Sequence, residues 1–153
     1  MNSSTDRIER QIVLKASRSR VWRAISTAEE FGKWFGVKFT DTVFAAGSSV
    51  RGNITYPGYE HVVFEATIER MEPETSIAWR WHPYAVDTAV DYSNEPRTLV
   101  EFKLQDVAGG TLLTVVESGF DLIPLERRHE AYRMNSGGWT EQMKNIEQHV
   151  AKP

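Results

Sequence analysis

The stretch NSGGWTEQMKNIEQHV, Asn135–Val150, decides how the chain is assembled. After its glycines it places Trp139, Met143, Ile146 and Val150 at steps of four, three and four, the spacing of one helical face. The preceding LERRHEAYRM, Leu125–Met134, is also helical in composition, so Gly137 and Gly138 fall where a helix already runs. Each glycine costs about 1 kcal/mol against alanine in a helix interior. Two readings account for the pair. Without Cβ atoms the helix backbone can approach a sheet closely or bend around it, with Trp139 plugging the core alongside. Alternatively, NSGG is a break between two helices.

Working back towards the N-terminus, the texture is that of strands. VKFTDTVFA, SSVRGNITY, HVVFEATIERM, SIAWRWH, TLVEFKLQDV and TLLTVVESGF are short, rich in β-branched and aromatic residues, and separated by turn signals. The turns AAGS, YPGYE, EPETS and VAGG use glycine for positive φ and proline for fixed φ. Spacing this tight favours antiparallel hairpins, since parallel crossovers need a dozen or more residues. The longer, acidic YAVDTAVDYSNEP, Tyr84–Pro96, reads as an exposed loop.

At the N-terminal end, RIERQIVLKA puts Ile8, Ile12 and Leu14 on one face of a strand. SRSRVWRAIS opens a helix capped by Ser17 or Ser19, with Val21, Ile25 and Ala28 along one side. Thr27 and Glu30 have the spacing of a capping box for a second short helix carrying Phe31, Trp34 and Phe35. Strands clustered together with helices at the ends indicate an α+β fold, in which one antiparallel sheet buries its apolar face against the long last helix.

Composition narrows the functions. The chain has 153 residues, one domain's worth, with 41% hydrophobic, 25% charged and 11% aromatic residues including five Trp. A net charge of −3 provides no electrostatic footprint for nucleic acid and no polybasic membrane patch. With no Cys, disulfides, thiolate metal sites and cysteine nucleophiles are excluded. The start MNSSTDRIER has no apolar h-region, and no apolar run is long enough to span a bilayer. A cytoplasmic location is expected. His61, His82, His129 and His149 lack metal-ligand spacing, and no nucleotide or nucleophile motif is present, so neither metal nor cofactor is expected.

Several segments in order resemble a known family: ASRSRVWRAIS followed by Trp34, then ATIERMEPETSIAWRW, LVEFKLQDVAGGTLLTVVESGF and GGWTEQMKNIEQHV. Together, from about Ile8 to Val150, they resemble the START-like (SRPBCC) superfamily, and within it the family named for the activator of heat-shock protein 90 ATPase. One departure is that Ser17 and Arg18 follow Ala16 where the family often begins its first helix with proline. The resemblance implies a helix-grip fold, a curved antiparallel sheet wrapped around a long C-terminal helix with a cavity between. It also implies that Val21 and Trp22 pack the first helix, and that Gly138 and Trp139 mark the close approach of the last. The cochaperone itself carries a further N-terminal domain for which 153 residues leave no room, so its chaperone activity is not carried over.

Alternation points Ile77, Trp79 and Trp81 inward, together with Phe64, Ala66 and Ile68 and with Val100, Phe102 and Leu104. These make either an aromatic wall for an apolar ligand or a filled core. TLLTVVESGF carries apolar residues on both faces; the family pattern turns Leu113 and Val115 inward, and Glu117 with them. A carboxyl facing an apolar cavity would have its pKa raised, and could bond a ligand or move a proton; otherwise it reaches solvent or an arginine. Leu112 and Val116 then lie outside with Val13, a candidate homodimer patch. The mixed charges of LERRHEAYR read as a solvated helix face. The expected ligand-binding set is Trp34, Phe35, His61, Phe64, Trp79, Trp81, Phe102 and Glu117, with Glu117 the one catalytic candidate. The expected function is binding of a small hydrophobic or amphipathic molecule. The alternatives are a cyclase- or dehydratase-type enzyme and a domain that binds a chaperone or regulator.

Overall fold

The computed structural model describes residues 5–151, so the first four residues of the polar start lie outside it. Strand β1 (Arg7–Leu14) is followed by helices α1 (Arg18–Ser26) and α2 (Ala28–Phe35). Then come β2 (Val37–Lys38), β3 (Ser49–Ile54), β4 (Val63–Glu72), β5 (Ser76–Trp81), β6 (Thr98–Val107) and β7 (Gly110–Ser118). A 3-10 turn at Phe120–Leu122 leads into helix α3 (Leu125–Val150). All seven strands form one antiparallel sheet in the order β1-β7-β6-β5-β4-β3-β2. The α+β helix-grip arrangement expected from the sequence is the one observed.

Cross-strand register explains how one face becomes the core. Ile8 pairs with Glu117, Glu117 with Val100, Val100 with Trp79, and Trp79 with Ile68. Directly opposed residues share a face, so this row runs across five strands on the inner side. Four of its members are apolar, and all five are at most 3% exposed. A bulge between Ile68 and Arg70 shifts the β4–β5 register, which increases local twist. On α3, Trp139, Met143, Ile146 and Val150 are buried as their spacing required.

The first two helices close one end of this core. Ser17 caps α1 by accepting from the Arg20 amide at 3.1 Å. Trp34 donates its indole N–H to the Ala24 carbonyl at 2.8 Å, tying α2 to α1 while its ring packs edge-on to Phe31. Gly36 ends α2 at φ 95°, and a Cβ there would lie 2.8 Å from the Tyr56 ring, so both conformation and space demand glycine.

Three local expectations are corrected. Thr27 and Glu30 form no capping box: the Thr27 hydroxyl donates back to the Arg23 carbonyl, and Glu30 is taken by Arg20, Arg23 and His149. VKFTDTVFA supplies only the two-residue β2, because Phe39 and Phe44 leave the sheet to stack edge-on with each other beside Phe31. Finally, α3 runs unbroken through Gly137 and Gly138, yet a Cβ at either would meet nothing within 4 Å. The glycines neither break the helix nor permit a close approach. They leave space.

Candidate functional site

At Gly138 that space belongs to a cavity of about 780 Å³ between the sheet, α3 and two loops. Its wall is aromatic. Phe35 comes from the end of α2, Phe64 from β4, Trp81 from the end of β5 and Trp139 from α3. The 56–59 turn contributes Tyr56, Pro57 and Tyr59, and the 84–93 loop contributes Tyr84, Val86, Val90 and Tyr92. Gly138 completes the α3 side, where its missing side chain widens the cavity. Asn135 and Gln142, one turn to either side, are its amide groups. A site of this size and apolar character is typical of those that hold small molecules.

Glu117 lies behind this wall. Its side chain is completely buried, and both oxygens are occupied. Oε2 accepts from the Thr98 hydroxyl at 2.6 Å and the Trp81 indole at 2.7 Å. Oε1 accepts from the Trp139 indole at 2.8 Å, and the Asn135 amide reaches both oxygens at 3.0 and 3.2 Å. The register places these groups together, since Thr98 and Trp81 are cross-strand partners two residues along, and so on the same face, from Val100 and Trp79. Burial pushes the Glu117 pKa up, while the four hydrogen-bonding side chains pull it back down. It faces inward, as read from the family pattern, but reaches neither solvent nor an arginine. Three of its lockers, Trp81, Asn135 and Trp139, are themselves cavity wall.

The sequence-derived set divides accordingly. Phe35, Phe64 and Trp81 line the cavity, and Glu117 anchors its wall. Trp79 and Phe102 do not line it; both are core beneath the lining, with Trp79 edge-on to Trp81 and Phe102 edge-on to Trp139. Trp34 instead abuts a separate polar groove formed with Arg20, Glu30 and His149. His61 is exposed in the turn before β4 and is not part of the wall. The sequence reading missed Tyr56, Tyr59, Tyr84 and Tyr92. Tyrosines clustered in turns beside YPG and in the 84–96 loop were the available signal.

Arg127, placed by charge pattern on a solvated face, is instead mostly buried against that loop. Its guanidinium bonds Glu95 at 2.8–2.9 Å and the carbonyls of Pro83 and Tyr84 at 2.8 and 3.1 Å, and lies 4.8 Å over the Tyr92 ring. It fastens the loop to α3. Among the described residues, no group of three or more His, Asp or Glu side chains is placed to hold a metal ion. No described helix is long and apolar enough to cross a membrane.

Solved structures share this architecture at low sequence identity. The protein MLL2253 from Mesorhizobium loti is similar with a TM-score of 0.74 and 20% identity, over 95% of this chain and 97% of that one. A protein from Arthrobacter aurescens gives 0.76 and 14%, over 99% and 91%. The Aha1 dimer from Colwellia psychrerythraea gives 0.69 and 16%, over 94% and 95%. No curated protein matches in sequence. The sequence profile of the family described as "Activator of Hsp90 ATPase homolog 1-like protein" matches residues 15–151. Nine-tenths of the chain falls within that match, and the helix-grip fold agrees with it: the chain belongs to the Activator of Hsp90 ATPase homolog 1-like family.

Proposed function

We propose that the protein binds a small hydrophobic or amphipathic molecule in the cavity between sheet and α3. The observation that carries this reading is Gly138. A helix interior gives up stability at a glycine, and here the vacated volume opens into an aromatic cavity instead of admitting a neighbouring backbone. Holding is better supported than conversion. Glu117, the one candidate for proton transfer, sits behind the wall with both oxygens engaged. A homodimer through the outer face of β1 and β7, where Val13 is 48% exposed, is a separate proposal prompted by the dimeric Colwellia relative. Sedimentation as a 17.5 kDa species alone would remove it.

The test is a thermal-shift screen of apolar and amphipathic compounds on the wild type and on Gly138→Leu. A ligand at 100 times its Kd adds about 2.7 kcal/mol of stability, roughly 5–10 °C for a domain of this size. Hits that disappear in a folded Gly138→Leu place the ligand in the cavity. Hits that survive unchanged in that variant remove the cavity as the site. A screen without hits shifts the reading towards a protein partner.

A further inference from the structure

We infer that the cavity selects for a positively charged ligand group, a protonated amine or a quaternary ammonium carried on an apolar body. The inference rests on the cavity being a ligand site. It adds the charge of what is held there.

The lining carries no Lys or Arg among the described residues; its acids are Asp91, from the loop, and Glu65, whose side chain alternates to the face opposite Phe64. His82, also in the wall, has its Nε2 3.1 Å from the Glu95 carbonyl. Arg127 is paired with Glu95 and lies behind the lining residues Tyr84 and Tyr92 rather than in the lining itself. Behind the wall, every partner of Glu117 is neutral, and three of the four, two indoles and an amide nitrogen, can only donate. That arrangement fits the carboxylate form. No cation is supplied for that form.

The two indoles transmit this charge to the cavity. Trp81 and Trp139 give their N–H groups to Glu117 at 2.7 and 2.8 Å, and their rings, 6.4 Å apart, form wall on the other side. Donating to a carboxylate enriches an indole ring in electron density, which deepens the negative potential of its face. Cations bind to such faces, indole most strongly, and more so when desolvated. Phe35 stands 6.1 and 6.0 Å from the two rings and provides a third aromatic surface at the same place. An anionic head group would meet this field with repulsion and no basic partner. Asp91, in the loop at the lining, carries the same sign.

The experiment compares three ligands that share one body and differ in charge: 4-phenylbutylamine, 4-phenylbutan-1-ol and 4-phenylbutyrate. Their affinities for the full chain are read by calorimetry or by Trp fluorescence at pH 7.5 and low salt. The amine is expected to bind at least tenfold tighter than the alcohol, with the acid weakest. In Glu117→Gln the gap between amine and alcohol should shrink severalfold. If that variant does not fold, the wild-type ranking decides. Equal affinities, or an acid that binds as well as the amine, overturn the charge inference. If those equal affinities are lost in Gly138→Leu, the cavity reading survives alone. No binding by any of the three at millimolar concentration overturns both.

Discussion

Around Glu30, on α2, two arginines and a histidine converge: Arg20 at 2.6 Å and Arg23 at 2.8 Å from α1, and His149 at 2.9 Å from α3. Around Glu117, on β7, there are only two indoles, an amide and a hydroxyl. Burial pushes both carboxyls towards the neutral form, but the outcomes diverge. At Glu30 the hydrogen bonds from His149, Arg20 and Arg23 prevail and hold the pKa at about 2; at Glu117 burial prevails and the pKa stays raised. The first site uses charge to join three helices at a groove open to water. The second offers a carboxyl no cationic partner, directly behind a cavity. Structural ion clusters are common in proteins, whereas a buried carboxyl without a cation beside an apolar chamber points to function.

The strongest challenge to this contrast is Glu117→Leu. It leaves four donors without an acceptor, and the two buried ones, Thr98 and Trp139, cost about 1–3 kcal/mol each. Chemical denaturation should show a loss of about 3 kcal/mol or more, and a variant as stable as wild type would mean that the donors were never held. Gly138→Ala should act in the opposite direction, adding about 1 kcal/mol of stability through helix propensity. The new methyl meets nothing within 4 Å, so a destabilised Gly138→Ala would contradict the open space found there.

Glu30→Gln should be mildest at neutral pH, about 1 kcal/mol or less for partly exposed ion pairs. Its signature is the acid limb of the stability curve. A carboxyl lowered from 4.5 to about 2 contributes fully above 4.5, and the contribution is lost as pH falls towards 2. The variant's curve should be flatter over that window. Glu117 titrates with the other sign. With its folded pKa raised, the folded state gains on the unfolded as pH falls through that value. Wild type should therefore widen its lead over Glu117→Leu as the solution is acidified, while it loses its lead over Glu30→Gln. Parallel pH curves for the two variants would erase the distinction.

Regular periodicity made most of the fold legible. Alternation in SIAWRWH and HVVFEATIERM, and the four-three-four spacing of α3, report burial on one face and needed no further information. The cavity was legible only where it borrows those faces, at Phe35, Phe64 and Trp81. Tyr56, Tyr59, Tyr84 and Tyr92 reach it from loops, which have no period to read. Glu117 could not be oriented by alternation, because Val116 beside it is buried as well. Trp79 and Phe102 share the inner face with Trp81, but side-chain direction does not reveal whether a ring meets other rings or open space. The glycine pair failed for a related reason: a missing Cβ is equally consistent with a backbone pressed close and with nothing there at all.

The vacancy at Gly138 has a consequence for how such a protein diversifies. Remodelling a binding cavity ordinarily erodes stability, and a lineage must hold stability in reserve before it can explore. At this position the two demands are uncoupled. Any good helix-forming side chain strengthens α3 while reducing the room available to a ligand, so capacity can be trimmed in single steps without crossing an unstable intermediate. The helix carries an adjustable stop for the size of its guest, set here at its widest.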